Sequence, residues 1–155
     1  MLRAGLKAGP YVRLVRMRVL FLCTGNSARS QMAEAILRHL TNGGVDVVSA
    51  GSAPAADVHP LTRTTLKETL GIDASELKPK SAASFTGQQF DAVITVCDAA
   101  AEACPTWPGA KRLIHWSIDD PAAAQGAEAQ RRAFEAAARE LQTRIRSWLA
   151  ENERG

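Results

Sequence analysis

Aromatic residues are few in this 155-residue chain: three Trp, one Tyr and four Phe, scattered along its length. Without an aromatic cluster there is no stacking platform for single-stranded nucleic acid. Charge is nearly balanced as well. Nineteen Lys and Arg against sixteen Asp and Glu leave a net +3, far short of the basic stripe that a nucleic-acid binder presents. No apolar run approaches the roughly 18 residues of a membrane span. Cysteine is scarce, three in all and none in a CxxC pair, which argues against a secreted disulfide framework and against a zinc site. In a reducing compartment such cysteines are more often catalytic or redox-active than structural.

Hydrophobic residues make up 46% of the chain, enough for a core, and the length is that of one ordinary domain. Met1 to Arg18 holds five Lys or Arg and no acid, but lacks the continuous apolar segment and small-residue cleavage site of a secretory signal. Residues 1–16 therefore read as a basic N-terminal extension. Residues 17–155 read as a single cytoplasmic, monomeric domain with no internal repeat or linker.

Arg18-Val-Leu-Phe-Leu-Cys23 is a short apolar run ending in turn-forming residues, the pattern of a buried strand. Ala33, Ile36, Leu37 and Leu40 then fall on one helical face, which Asn42-Gly-Gly44 stops. Val45 to Ser49 is a second strand, closed by Gly51. Pro60 suits a helix start and Gly71 its cap, with Leu61, Leu66 and Leu70 between. Residues 72–90 predict loop with a short helix near Ser84 to Gln89. Ala92 to Val96 is a third strand leading into Cys97, and Lys111 to Trp116 a fourth leading into Asp119-Asp120-Pro121. Phe134, Ala138, Leu141, Ile145 and Trp148 mark one face of a long last helix.

Strands alternating with helices imply an α/β fold, a doubly wound parallel sheet of four strands with helices on both faces. Such sheets bind ligands beyond the carboxyl ends of their strands, at the switch point. In a 2-1-3-4 order that point lies between the first and third strands, so Cys23, Cys97 and the Asp119-Asp120 pair converge on one edge.

Cys23-Thr24-Gly25-Asn26-Ser27-Ala28-Arg29-Ser30 carries the strongest chemistry. Small, flexible residues between a strand and a helix let successive N–H groups turn inward, and the helix N-terminus adds positive potential. Arg29 can grip two oxygens of a tetrahedral anion. The same field is expected to lower the pKa of Cys23 and supply a thiolate nucleophile. Ser30 is placed to donate to that sulfur. The plainer alternative is a buried free cysteine beside a chance arginine.

Val19 through Glu34, VLFLCTGNSARSQMAE, resembles the phosphate loop of the low-molecular-weight tyrosine phosphatases. It is more similar still to that of the thioredoxin-coupled arsenate reductases that share their fold. The resemblance runs from about Met17 onward and includes Ser49-Ala-Gly51 and His115-Trp116 through Asp120-Pro121-Ala122. It implies Cys23 as nucleophile, Arg29 as oxyanion clamp, Asn26 and Ser30 as loop organisers, and Asp120 as general acid. Asp-Pro is also a common turn opener, so Asp119 or Asp120 could merely cap the turn.

Cys97 and Cys104 lie seven positions apart in an alanine-rich stretch. A disulfide needs Cα atoms within roughly 7 Å, so bridging residues two helical turns apart requires local unwinding. The resemblance implies that unwinding, within a Cys23, Cys97, Cys104 relay that reduces arsenate and is regenerated by thioredoxin. Phosphate and sulfate are then competing anions, and no cofactor or metal is required. A static Cys97–Cys104 disulfide is the alternative. Rival functions are a small tyrosine phosphatase with protective thiols and a module that binds oxyanions without turnover. Two departures from relatives stand out. Ala28 replaces a second loop cysteine, removing an oxidation liability. Asn26, Glu34 and Ser49 match residues that bind potassium in some relatives, but Ala82 stands where those supply a further carboxylate.

Overall fold

The computed structural model describes residues 17–103 and 106–154; the basic extension and Cys104 lie outside the described residues. Four strands form the sheet: β1 Arg18–Cys23, β2 Asp46–Gly51, β3 Phe90–Thr95 and β4 Ala110–His115. All pairings are parallel, in the order β2-β1-β3-β4. Val19, Leu20, Phe21 and Leu22 are at most 2% exposed. Burial on both faces is why β1 reads as an unbroken apolar run, as central strands of parallel sheets do.

Helices α1 (Arg29–Leu40) and α4 (Ala127–Arg154) pack on each other, with α2 (Pro60–Leu70) against α4. Met32, Ile36 and Leu37 of α1 and Phe134, Leu141, Ile145 and Leu149 of α4 are fully buried. Each contributes roughly 1.5–3 kcal/mol by leaving water. Gly71 ends α2 in the left-handed region, at φ 69°, where a side chain would be strained. Helix α3 (Asp98–Ala103) is far shorter. The β1-to-β2 and β3-to-β4 crossovers step in opposite directions across the sheet, so right-handed connections put α1 and α3 on opposite faces.

Local details differ from the sequence reading. β2 continues to Gly51, because its backbone pairs with Cys23 and meets an isolated bridge at Ser81. β3 begins at Phe90, whose N–H reaches Gly109 O at 2.8 Å. The short helix anticipated near Ser84 to Gln89 is a single 3₁₀ turn, Ala82–Phe85, started by Ser81 Oγ accepting from Ala83 N. Cys23, Gly51, Thr95 and His115, the last residues of the four strands, stand along one edge of the sheet.

Candidate active site

The loop from Cys23 to Ser30 turns its carbonyls outward. Thr24 O accepts from Ala53 N, Gly25 O from Ala55 N, and Ser27 O from both His59 N and Thr62 Oγ1, at 2.7 to 3.0 Å. Asn26 O accepts from Gln31 Nε2 at 3.0 Å. With those oxygens held from outside, the N–H groups of Gly25, Ser27, Ala28 and Arg29 have no hydrogen-bond partner among the described residues. They are the unsatisfied donors of a helix N-terminus and its approach, the chemistry of an anion cradle. Gly51 lets β2 close against this loop. A Cβ there would meet Thr24 O at 2.4 Å.

Asn26 organises the cradle from beneath, fully buried and at φ 49°. Its Oδ1 accepts from Lys80 N at 2.8 Å, which fixes the amide's orientation because a backbone N–H can only donate. Its Nδ2 therefore donates twice, to Ser30 Oγ at 2.8 Å and Ser49 Oγ at 2.9 Å. Ser49 Oγ in turn donates to Glu34 Oε1 at 2.8 Å, and Ser30 Oγ shares a hydrogen bond with Cys23 Sγ at 2.7 Å, which it donates once the sulfur is a thiolate.

Cys23 is only 4% exposed. Burial pushes its thiol above the ordinary range, and neighbouring Cys97 pushes the same way. The Ser30 hydroxyl and the backbone N–H groups of Ser30 and Asn26 pull it down. Burial wins here, contrary to the depressed value the loop sequence suggests. The sulfur lies beneath the cradle, where desolvation opposes the thiolate more than the donors favour it.

Cys97 follows β3 and is buried as well. Its Sγ contacts Thr24 Oγ1 at 3.6 Å and accepts from Ala100 N at 3.3 Å. Thr24 thus stands between the loop and the second thiol. Arg29 Nη1 donates to Ile118 O at 2.9 Å, tying the loop to the segment that carries Asp119 and Asp120. Asp120 Oδ1 accepts from Ala122 N at 3.0 Å and starts the 3₁₀ turn Pro121–Ala123, the capping role sequence left open. Asp119 and Asp120 are both exposed.

A family model for low molecular weight phosphotyrosine protein phosphatases matches residues 18–154. The chain belongs to that family. Among its relatives is an arsenate reductase of Halalkalibacterium halodurans, 42% identical over 113 residues, spanning 73% of this chain and 80% of the relative. A solved arsenate reductase in the phosphate binding state superposes with a TM-score of 0.74 at 29% identity, covering 87% of this chain and 98% of that one. A thioredoxin-dependent arsenate reductase of Corynebacterium glutamicum gives 0.69 at 32% identity, over 97% of this chain and 65% of that one. These relatives place the chain among the arsenate reductases that share this fold.

Residues that hold potassium in some family members do not suit it here. Glu34, 5% exposed, already faces two cations of the chain, Arg38 at 3.0 Å and the Lys80 ammonium at 3.4 Å. Its charge is answered from within, and Ala82 supplies no second carboxylate. No group of three or more His, Cys, Asp or Glu among the described residues is arranged to hold a metal. Sequence reasoning missed Gln31, whose Nε2 reaches Asn26 and Lys78 O. It also passed over His59, which starts α2 by accepting from Leu61 N and stacks on Phe134. Both are ordinary residue types whose roles depend on distant partners.

Proposed function

We propose that the protein reduces arsenate to arsenite through Cys23, Cys97 and Cys104, with thioredoxin returning it to the dithiol state. The observation that carries the reading is a second buried thiol, Cys97, beside the nucleophile's loop and in contact with Thr24. Phosphate-ester hydrolysis requires no second thiol. The family relatives named for arsenate reduction support the same conclusion.

Arsenate enters the cradle of free N–H groups, gripped by Arg29, and one of its oxygens takes the Cys23 proton. That transfer answers the burial that keeps the thiol protonated. The Cys23 thiolate attacks arsenic, a sulfur–arsenic bond forms, and one oxygen leaves as water on receiving a proton from Asp120. The Cys97 thiolate then attacks Cys23 Sγ. A sulfur–sulfur bond forms, the sulfur–arsenic bond breaks, and its electron pair stays on arsenic, which leaves as As(III). Two thiols are oxidised and one arsenic is reduced by two electrons. Cys104 next attacks Cys97, freeing Cys23 and moving the disulfide to Cys97–Cys104, from which a thioredoxin dithiol removes it. The protein acts as a cytoplasmic monomer. No helix among the described residues is long and apolar enough to cross a membrane.

The phosphatase reading has one observation in its favour: the cradle suits any tetrahedral oxyanion. Two assays separate them. Arsenate-dependent NADPH oxidation with thioredoxin and thioredoxin reductase is the expected result. Its absence, alongside vigorous hydrolysis of an aryl phosphate, would make the protein a phosphatase.

A further inference from the structure

Cys97 lies between two residues bonded to one imidazole. Thr95, two positions before it, meets His115 Nδ1 at 2.7 Å, and Asp98, next after it, meets His115 Nε2 at 2.9 Å. Ser117 Oγ donates to the same Asp98 oxygen at 3.0 Å. These bonds join the end of β3, the head of α3 and the end of β4. His115 thus spans the turn of chain on which Cys97 is mounted.

Little else fixes that turn. Helix α3 spans six residues, and Ala100 is the one residue of it buried among those whose side chains are described. Ala100 lines an apolar cavity of about 180 Å³, together with Leu22, Cys23, Ala82, Ala83 and Trp107. Where α1 and α4 are seated by interlocking apolar side chains, α3 has a methyl group facing a half-open pocket. A cavity contributes no dispersion contact to hold a helix in place. Among the described residues the turn is further tied by Thr24 Oγ1 to Cys97 Sγ at 3.6 Å, Ala100 N to Cys97 Sγ, Ala101 N to Cys97 O at 3.2 Å, and the imidazole brace.

We propose that His115 is a positioning residue for Cys97, holding the first turn of α3 through Thr95 and Asp98 so that the second thiol stays beside the first. This rests on the relay reading above. The brace survives either protonation state of the ring. When neutral, the ring donates from Nε2 to Asp98 and accepts the Thr95 hydroxyl at Nδ1; when charged, Nδ1 donates to Thr95 instead. The carboxyl of Asp98 is held below its usual range, chiefly by His115, then by Ser117, with Arg29 adding a smaller pull. It therefore remains an acceptor throughout the neutral range. An exposed ion pair alone does little for stability. The proposed effect is on the geometry of one thiol, where small displacements cost much rate.

The test reads geometry without arsenate. In a Cys104→Ser background, the Cys23–Cys97 disulfide is equilibrated against dithiothreitol buffers and quantified by intact mass after acid quench. His115→Phe keeps a planar ring and loses both bonds. It should lower the disulfide equilibrium constant about tenfold, while the rate of Cys23 alkylation by iodoacetate stays within about twofold of the parent. His115→Gln, which can still donate to Asp98, should recover most of the loss. An unchanged equilibrium in His115→Phe would overturn the proposal. So would equal losses in alkylation and disulfide formation, which signify general damage, or a His115→Gln variant no better than His115→Phe. A parent that forms the disulfide yet fails to reduce arsenate would remove the proposed function and leave this positioning role standing. A parent that forms no Cys23–Cys97 disulfide would remove both.

Discussion

The two thiols stand in opposite kinds of surroundings. Cys23 belongs to a loop whose carbonyls are tied from outside and whose side chains form a buried chain of bonds, from Lys80 N through Asn26 to Ser30. Cys97 heads a six-residue alanine-rich helix with a cavity at its inner face and an exposed brace at its outer end. On the proposed relay, one half of the site has to stay fixed and the other has to be displaced. An oxyanion cradle benefits from donors fixed in advance, because nothing then has to reorganise as charge develops. A thiol that must meet two different partners in turn benefits from a mount that comes loose. The contrast follows from the chemistry proposed for each thiol.

Substitutions at the three cysteines should break the contrast most sharply. Cys23→Ser should abolish arsenate reduction and aryl-phosphate hydrolysis together, since a hydroxyl supplies almost no anionic nucleophile near neutral pH. Retention of a tenth of either activity would remove Cys23 from its role. Cys104→Ser should release one arsenite per enzyme and stall as a Cys23–Cys97 disulfide. Cys97→Ser should stall earlier, with arsenic still on Cys23. Intact mass after arsenate, with and without thiol trapping, distinguishes the two, and full thioredoxin-coupled turnover by either variant would end the relay. Aryl-phosphate hydrolysis should survive both, because water can resolve a phosphocysteine.

Substitutions in the fixed half should have smaller effects that fall on both activities. Arg29→Lys should cost on the order of a hundredfold in each, since an ammonium cannot present the paired donors that a guanidinium does. Ser30→Ala removes the hydroxyl that pulls the Cys23 thiol down while leaving burial, which pushes it up, untouched. The sign follows directly. The thiol rises further, so the alkaline limb of the iodoacetate alkylation profile moves to higher pH, and the rate at neutral pH falls about tenfold. A profile that stayed in place would show that Ser30 donates nothing to the sulfur.

The fixed half was also the legible half. Cys23 to Ser30 is contiguous, its residue types are small or charged for evident reasons, and the strand before it and the helix after it announce themselves by periodicity. Alternation of elements implied the parallel sheet, and a 2-1-3-4 order, which the structure has, puts Cys23 and Cys97 on one edge. What could not be read was whatever depends on distance in the chain. Lys80 orients Asn26 from 54 positions away, and His115 reaches Asp98 from 17. The expected depression of the Cys23 thiol failed for a related reason. Donors can be counted along a loop, but the burial that outweighs them is created by Gly51 and the elements folded over it. Asp120 was ambiguous in sequence as acid or cap, and its bond to Ala122 N supplies the second role without removing the first.

The sparsely packed half can be tested by packing it more tightly. Ala100 faces the cavity of about 180 Å³ between α3 and the Ala82–Phe85 turn, which has room for three more carbons. Ala100→Leu keeps a strong helix former and places an isobutyl group in this half-open pocket. Filling it should stabilise the folded protein by about 1–2 kcal/mol at roughly 0.8 kcal/mol per buried methylene, seen as a rise of a few degrees in Tm. On the proposed relay, the same packing has to be given up for Cys104 to reach Cys97. The second exchange should therefore slow by about fivefold for each 1 kcal/mol gained. The first exchange, between Cys23 and Cys97, needs no such departure; because Cys23 also lines this pocket, its rate reports any direct contact of the new side chain with that thiol. Rapid-quench mass analysis after one equivalent of arsenate reads both steps in one experiment. A variant that gains stability and loses nothing in the second step would show that α3 does not have to unpack, and that the cavity at its inner face is unrelated to the relay.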